Sequence, residues 1–238
     1  MVKKLTALLL AVLLTASMTA CGSQDDAQAG GGVAPGTEDT AGGAVQPPAQ
    51  EPDAPDQGTV NGGTYTNHLA GISCTLDDSW VFYTEEEIDA LSALLSDGAD
   101  SEALQQRLAE DAPVRDMYAV STDGLMTIAV SFENLGLLNG KTVTAQETTE
   151  ATAEQLPALW KEYGLTEVTA QLTAVDFAGQ KSVPAVAVSA KNQDVPMYEL
   201  LICLKADNYL YTVTLCSFTE DVTADMACLL YTSDAADE

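Results

Sequence analysis

The chain has little positive charge. Nine lysines and arginines stand against 36 acids, giving a formal net charge of −27. A surface this acidic repels phosphate backbones, which argues against nucleic acid as a partner. It also repels anionic headgroups, so no basic patch holds the chain to a bilayer. Histidine is nearly absent, His68 being the single imidazole, and none of the five cysteines forms a Cys-x-x-Cys pair or a zinc-type spacing with it. Glycine-rich phosphate loops, His-Glu-x-x-His and Gly-x-Ser-x-Gly are missing as well. The sequence therefore yields no catalytic residue, no cofactor-binding residue and no metal ligand. Long apolar runs are missing too. The longest, Leu5 to Leu14, is about half of the ~20 residues that a spanning helix needs.

What is present begins at the amino end. Lys3 and Lys4 precede that apolar run, and the small-residue stretch Thr15–Ala20 follows it, ending at Cys21–Gly22. A charged start, a short apolar core and a small-residue cleavage region make a secretory signal. With a cysteine directly behind it, the segment resembles a bacterial lipoprotein signal, with Met18–Thr19–Ala20–Cys21 as the lipobox. Met18 stands where leucine is usual. The resemblance implies a diacylglyceryl group on the Cys21 thiol, cleavage before Cys21, and a stable anchor, because two acyl chains hold where one holds only marginally. Residues 1–20 are read as the signal, and the protein is placed on the extracytoplasmic face of the cell membrane.

Residues 21–63 are rich in Gly, Ala, Pro, Gln and acids, with almost no large apolar side chain. Such a segment buries too little surface to offset ordering entropy and reads as a disordered tether. Its reach is roughly 35 Å as a flexible coil. Residues 64–227 are long enough for one domain.

In that domain, Tyr65–Asn67, Ile72–Leu76 and Trp80–Tyr83 read as strands. Thr84 and Glu87 form a capping box for a helix with the stripe Ile88, Leu91, Leu94 and Leu95. Three acids at Glu85–Glu87 suit a helix's first turn better than a metal site. Asp97 and Asp100 lack the other ligands of a calcium loop. A short helix is expected over 102–110. Asp123–Gly124 turns a hairpin between Met117–Ser121 and Leu125–Glu133. A longer helix covers Ala145 to Tyr163, with Pro157 expected to kink it or restart it and Gly164 as its cap. Four strands follow: Glu167–Phe177, Val183–Lys191, Met197–Lys205 and Tyr209–Phe218.

The last hairpin can be read in register. With Asp207–Asn208 as the loop, Leu204 faces Tyr211, Ile202 faces Val213 and Leu200 faces Leu215, making one apolar face. The other face holds Leu201, Cys203, Thr212, Thr214 and Cys216. It is mixed, and a helix is expected to cover part of it. Cys203 and Cys216 lie about 13 Å apart along this face. A disulfide requires Cα atoms within ~7 Å, so the two are expected to be unpaired. Tyr198, Tyr209 and Tyr211 are read as core packing.

The expected fold class is α+β, a single antiparallel sheet of about six to seven strands flanked by helices. The order of elements, with Ile72–Leu76 passing through Asp77–Asp78–Ser79 into Trp80, resembles the PsbP/Mog1-like α/β sandwich. The proline and glycine usual in that turn are absent here. The resemblance implies binding or accessory roles, with no catalytic site to carry over. Residues 228–238 resemble the translation of a transposase-type sequencing adapter and are read as non-native, with a truncated helix before them.

The function expected is a lipid-anchored extracytoplasmic protein, not an enzyme, whose domain binds an unknown protein or envelope ligand. Its partners are the membrane, through the N-terminal lipid, and that ligand. A small solute-binding lipoprotein is the alternative and would need two lobes of parallel βαβ units. A hydrolase would need two converging carboxylates.

Overall fold

A computed structural model describes residues 57–97 and 114–232. The lipobox with Cys21, most of the proposed tether and the short helix expected over 102–110 lie outside the described residues. No helix among the described residues is long and apolar enough to cross a membrane.

The strands form two sheets rather than the single one expected. The larger is seven-stranded, in the order β4-β5-β6-β10-β9-β8-β7. Its members are β4 (Trp80–Phe82), β5 (Val114–Ser121), β6 (Met126–Asn134), β7 (Thr166–Phe177), β8 (Gln180–Asn192), β9 (Val195–Ala206) and β10 (Tyr209–Ser217). The smaller has the order β1-β2-β3-β11, built from β1 (Thr59–Asn61), β2 (Thr64–Asn67), β3 (Ile72–Thr75) and β11 (Leu230–Thr232). Every described strand pair is antiparallel.

The physical reason for two sheets lies at Asp77–Ser79. The Asp77 carboxylate accepts the Ser79 N–H at 2.9 Å, and the Trp80 N–H bonds the Asp77 carbonyl at 3.0 Å. This tight Asx turn redirects the chain, so β3 stays in the small sheet while β4 joins β5 in the large one. The small sheet gains two strands that the alternation did not reveal. β1 lies within the span read as tether, and β11 lies within the adapter-like segment, where Leu230 pairs with Cys74.

Two cores result. Tyr65, Ile72, Cys74 and Leu230 of the small sheet pack on Met117, Ile128, Ile202, Tyr211 and Val213 of the large one. The opposite face of the large sheet is covered by helices α1 (Glu85–Asp97) and α3 (Ala145–Glu162). Ile88 and Leu91 of α1 and Leu156, Leu159 and Trp160 of α3 bury there against Tyr118, Val188, Leu201 and Cys216. The mixed face of the last hairpin is thus helix-covered, as expected. Short helices α2 (Gly136–Thr142) and α4 (Thr223–Ala227) complete the fold.

Local chemistry explains the helix starts. Thr84 donates to Glu87 through its backbone N–H at 2.8 Å, and the Glu87 N–H returns to Thr84 Oγ1. Thr144 and Glu147 repeat this capping box at the head of α3. Helix α3 continues through Pro157. The proline leaves the Ala153 carbonyl without its helical donor, yet Leu156, Leu159 and Trp160 on either side of it are buried, and their packing holds the helix together. The register predicted for the last hairpin is found: Leu204 pairs with Tyr211, Ile202 with Val213 and Leu200 with Leu215. Cys203 and Cys216 are both buried and unbonded. The final helix, Thr223–Ala227, ends just before the adapter-like segment.

Candidate binding cleft

Strand β5 carries an irregularity where its pairing with β6 slips between Arg115 and Met117. The extra residue, Asp116, is pushed out of the ladder, as a bulge requires. Its carboxylate turns toward the small sheet and collects three donors. The Gly58 N–H reaches Oδ1 at 2.7 Å, while the Tyr65 hydroxyl and Asn67 Nδ2 both reach Oδ2 at 2.6 Å. Tyr65 and Asn67 are buried. Burial, then the negative charge of Asp116 and the hydrogen bond to it, push the Tyr65 hydroxyl well above its ordinary value. Asn67 completes the brace by accepting the Ala70 N–H at 2.8 Å. Gly58 is required here: a Cβ on it would lie 2.3 Å from the Tyr65 ring and 2.9 Å from Asp116 Oδ2.

This braced corner is one wall of a cleft of about 360 Å³. Gln57, Gly58 and Val60 line one side, Phe82 to Glu85 and Ile88 another, and Arg115 to Met117 the floor. The size falls at the lower end of small-ligand sites, and the lining mixes the apolar Val60, Phe82, Ile88 and Met117 with polar and charged side chains. Arg115 supplies the positive charge. Burial lowers its guanidinium from the ordinary value, while Tyr118 and Asp89 act the other way. Arg115 shares the cleft lining with two acids, Glu85 and Asp116.

Both oxygens of Asp116 are engaged by donors, so this carboxylate braces and orients the wall. A second concavity, about 490 Å³, lies between Trp80, Met126, Val222 and Met226, with Asp123, Glu220 and Asp225 among its lining residues. It includes Leu229 of the adapter-like segment.

The residues singled out from the sequence are placed as follows. Cys21, the lipidation residue, lies outside the described residues, as does Asp100. His68 is exposed. Glu87 serves the cap of α1. Tyr209 and Tyr211 pack around Phe132, with ring centroids at 6.0 and 5.6 Å. Tyr198 is half-buried on β9. The sequence reading missed Arg115 and Asp116. Their only signal was a pair of charges inside an otherwise strand-like run, Val114–Ser121.

No protein-family model matches the chain, and no curated protein matches it. Among solved structures, it is similar to the solution structure of the cyanobacterial PsbP protein (CyanoP) from Synechocystis sp. PCC 6803. The identity is 14% and the TM-score 0.42, over 71% of this chain and 91% of that one.

Proposed function

We propose that this is a lipid-anchored extracytoplasmic accessory protein whose domain binds an envelope partner and does not turn over a substrate. The carrying observation is the Asp116 corner. A cleft with a half-buried arginine is built beside a carboxylate braced by three donors, an arrangement that presents a rigid recognition surface. The address rests on the sequence, with Cys21 as the anchor and the residues after it as a leash. Among the described residues every strand pair is antiparallel, which speaks against the two-lobed solute-binding alternative, since that needs parallel βαβ units.

The test has two arms. Cys21→Ala should move the protein from the membrane fraction to the soluble one. The purified chain should retain an envelope component on a column, and Val60→Glu in the cleft wall should lose it. Val195→Glu is the control, since Val60 and Val195 are comparably exposed at 46% and 39% but only Val60 lines the cleft. Retention unaffected by Val60→Glu contradicts the cleft as the binding site. Membrane association unaffected by Cys21→Ala contradicts the anchor.

A further inference from the structure

The seven-stranded sheet ends on β7, a strand of 12 residues. Among the described residues no strand pairs with its outer side. Such an edge offers a row of unpaired N–H and C=O groups. Natural edges are usually blunted by charge, proline or brevity. Here the stretch Val168–Val175 has no charge and no proline. Irregular pairing with β8 is confined to its two ends, between Thr166 and Thr169 and between Val175 and Phe177, so the ladder from Thr169 to Val175 is regular.

Charge points to what the edge meets. The acids that bracket the neutral stretch are both neutralised in place: Glu167 by Lys191 at 2.7 Å and Asp176 by Lys181 at 2.5 Å. The β7–β8 hairpin, Thr166 to Asn192, holds two acids and two lysines and is therefore neutral, in a chain of net charge −27. Two copies of so acidic a chain repel almost everywhere, and this edge is where they approach without added charge.

Shape points the same way. Leu172 is 52% exposed at the centre of the strand, on the face that carries Val168 and Ala170. Alanine stands two residues to either side, at 170 and 174. We propose that β7 pairs antiparallel with β7 of a second copy, about a two-fold axis normal to the sheet at Leu172, joining two sheets into one. An axis of that kind makes paired residues sum to twice the central number. Leu172 then meets Leu172 of the second copy, in the space left by four alanines. Ala170 pairs with Ala174, Gln171 with Thr173, and Thr169 with Val175. No like charges stand opposite one another, and two exposed leucines are buried. The interface is small, so the dimer is a reversible one.

The test uses the full chain carrying Cys21→Ser and Cys228→Ser, which removes the anchor thiol and the exposed Cys228. Directly opposed residues place their Cα atoms at roughly 4.5–5.5 Å, inside the range of a disulfide. Leu172→Cys should give a disulfide-linked dimer under mild oxidation. Val81→Cys, as exposed at 51% but on the sheet's other edge strand, should not. By sedimentation velocity the parent should reach dimer mass as its concentration rises. Leu172→Lys, with its fold checked by circular dichroism, should weaken association by about tenfold or more, because it sets like charges opposite one another. A parent that stays monomeric at every concentration, equal cross-linking at both positions, or association untouched by Leu172→Lys overturns the proposal.

Discussion

Glu199 lies directly opposite Cys216 in the β9–β10 ladder, and neither oxygen of its buried carboxyl has a hydrogen-bond partner. It shares a strand face with Met197 and Leu201, which pack beneath the helical layer. Val188 stands on its other side, in β8. Burial pushes the acid of Glu199 well up, and burial together with the nearby Glu199 does the same to the Cys216 thiol.

The consequence for pH is direct. In the unfolded chain Glu199 loses its proton near the ordinary value of about 4.3. In the folded chain it keeps it. The favourable contribution is therefore complete below that value and declines as pH rises toward the raised folded value, by up to ~1.4 kcal/mol per pH unit. Glu199→Gln, which cannot ionise, should remove this decline. Urea unfolding of both proteins at acidic and mildly alkaline pH checks it: the variant's relative advantage should grow with pH. Parallel pH profiles would contradict the reading.

Asp116 is the hub of the corner beside the cleft. Asp116→Ala strands the Gly58 N–H, the Tyr65 hydroxyl and the Asn67 amide. Losing bonds to a charged acceptor and leaving buried donors unpaired should cost about 3 kcal/mol, read as a fall in the denaturant midpoint. Tyr65→Phe, which removes a single donor, should cost less. Equal losses would contradict separate contributions from the Gly58 and Asn67 bonds to Asp116.

Thiol labelling tests the layers. Cys74, Cys203 and Cys216 are buried, and burial pushes the Cys74 thiol up to about 12. With Cys21 replaced by serine, a single thiol, Cys228, should react in the native protein, and three more should appear in denaturant. Ending the chain at Ala227 removes β11 and uncovers the edge at Cys74. Since Leu230 is 4% exposed, this should cost about 2 kcal/mol and make Cys74 reactive. A truncated chain of unchanged stability, with Cys74 still protected, would show that β11 contributes nothing to the fold.

The cap of α3 is testable by itself. Thr144→Ala removes the hydroxyl that accepts the Glu147 N–H, leaving only the backbone half of the capping box, and should lower stability by ~1 kcal/mol. Thermal unfolding measures it, and an unchanged midpoint would contradict the cap's role.

Much of the large sheet was legible because alternation and turn residues agree there. The Asp207–Asn208 loop fixes the register of β9 and β10, and the two capping boxes fix the starts of α1 and α3. The small sheet was less legible. Thr59–Asn61 is exposed throughout and has no buried face to show as alternation. Leu230–Thr232 is three residues long, and among the described strands it pairs with β3. Asp116 escaped because a bulge is a property of the strand pair, invisible in one strand. Glu199 was within reach: its parity with Leu201 and Cys203 places it on the covered face, but a lone acid in an apolar run reads as solvent-facing. Pro157 shows tertiary packing overriding a local rule.

The proposed function depends on Cys21 as a lipid anchor for the domain. Mass spectrometry of the N-terminal peptide of the protein, purified from its own membranes, tests this most directly. The account predicts a peptide that begins at Cys21 and carries a diacylglyceryl mass on its sulfur. A peptide that begins at Met1, or an unmodified Cys21, would contradict it.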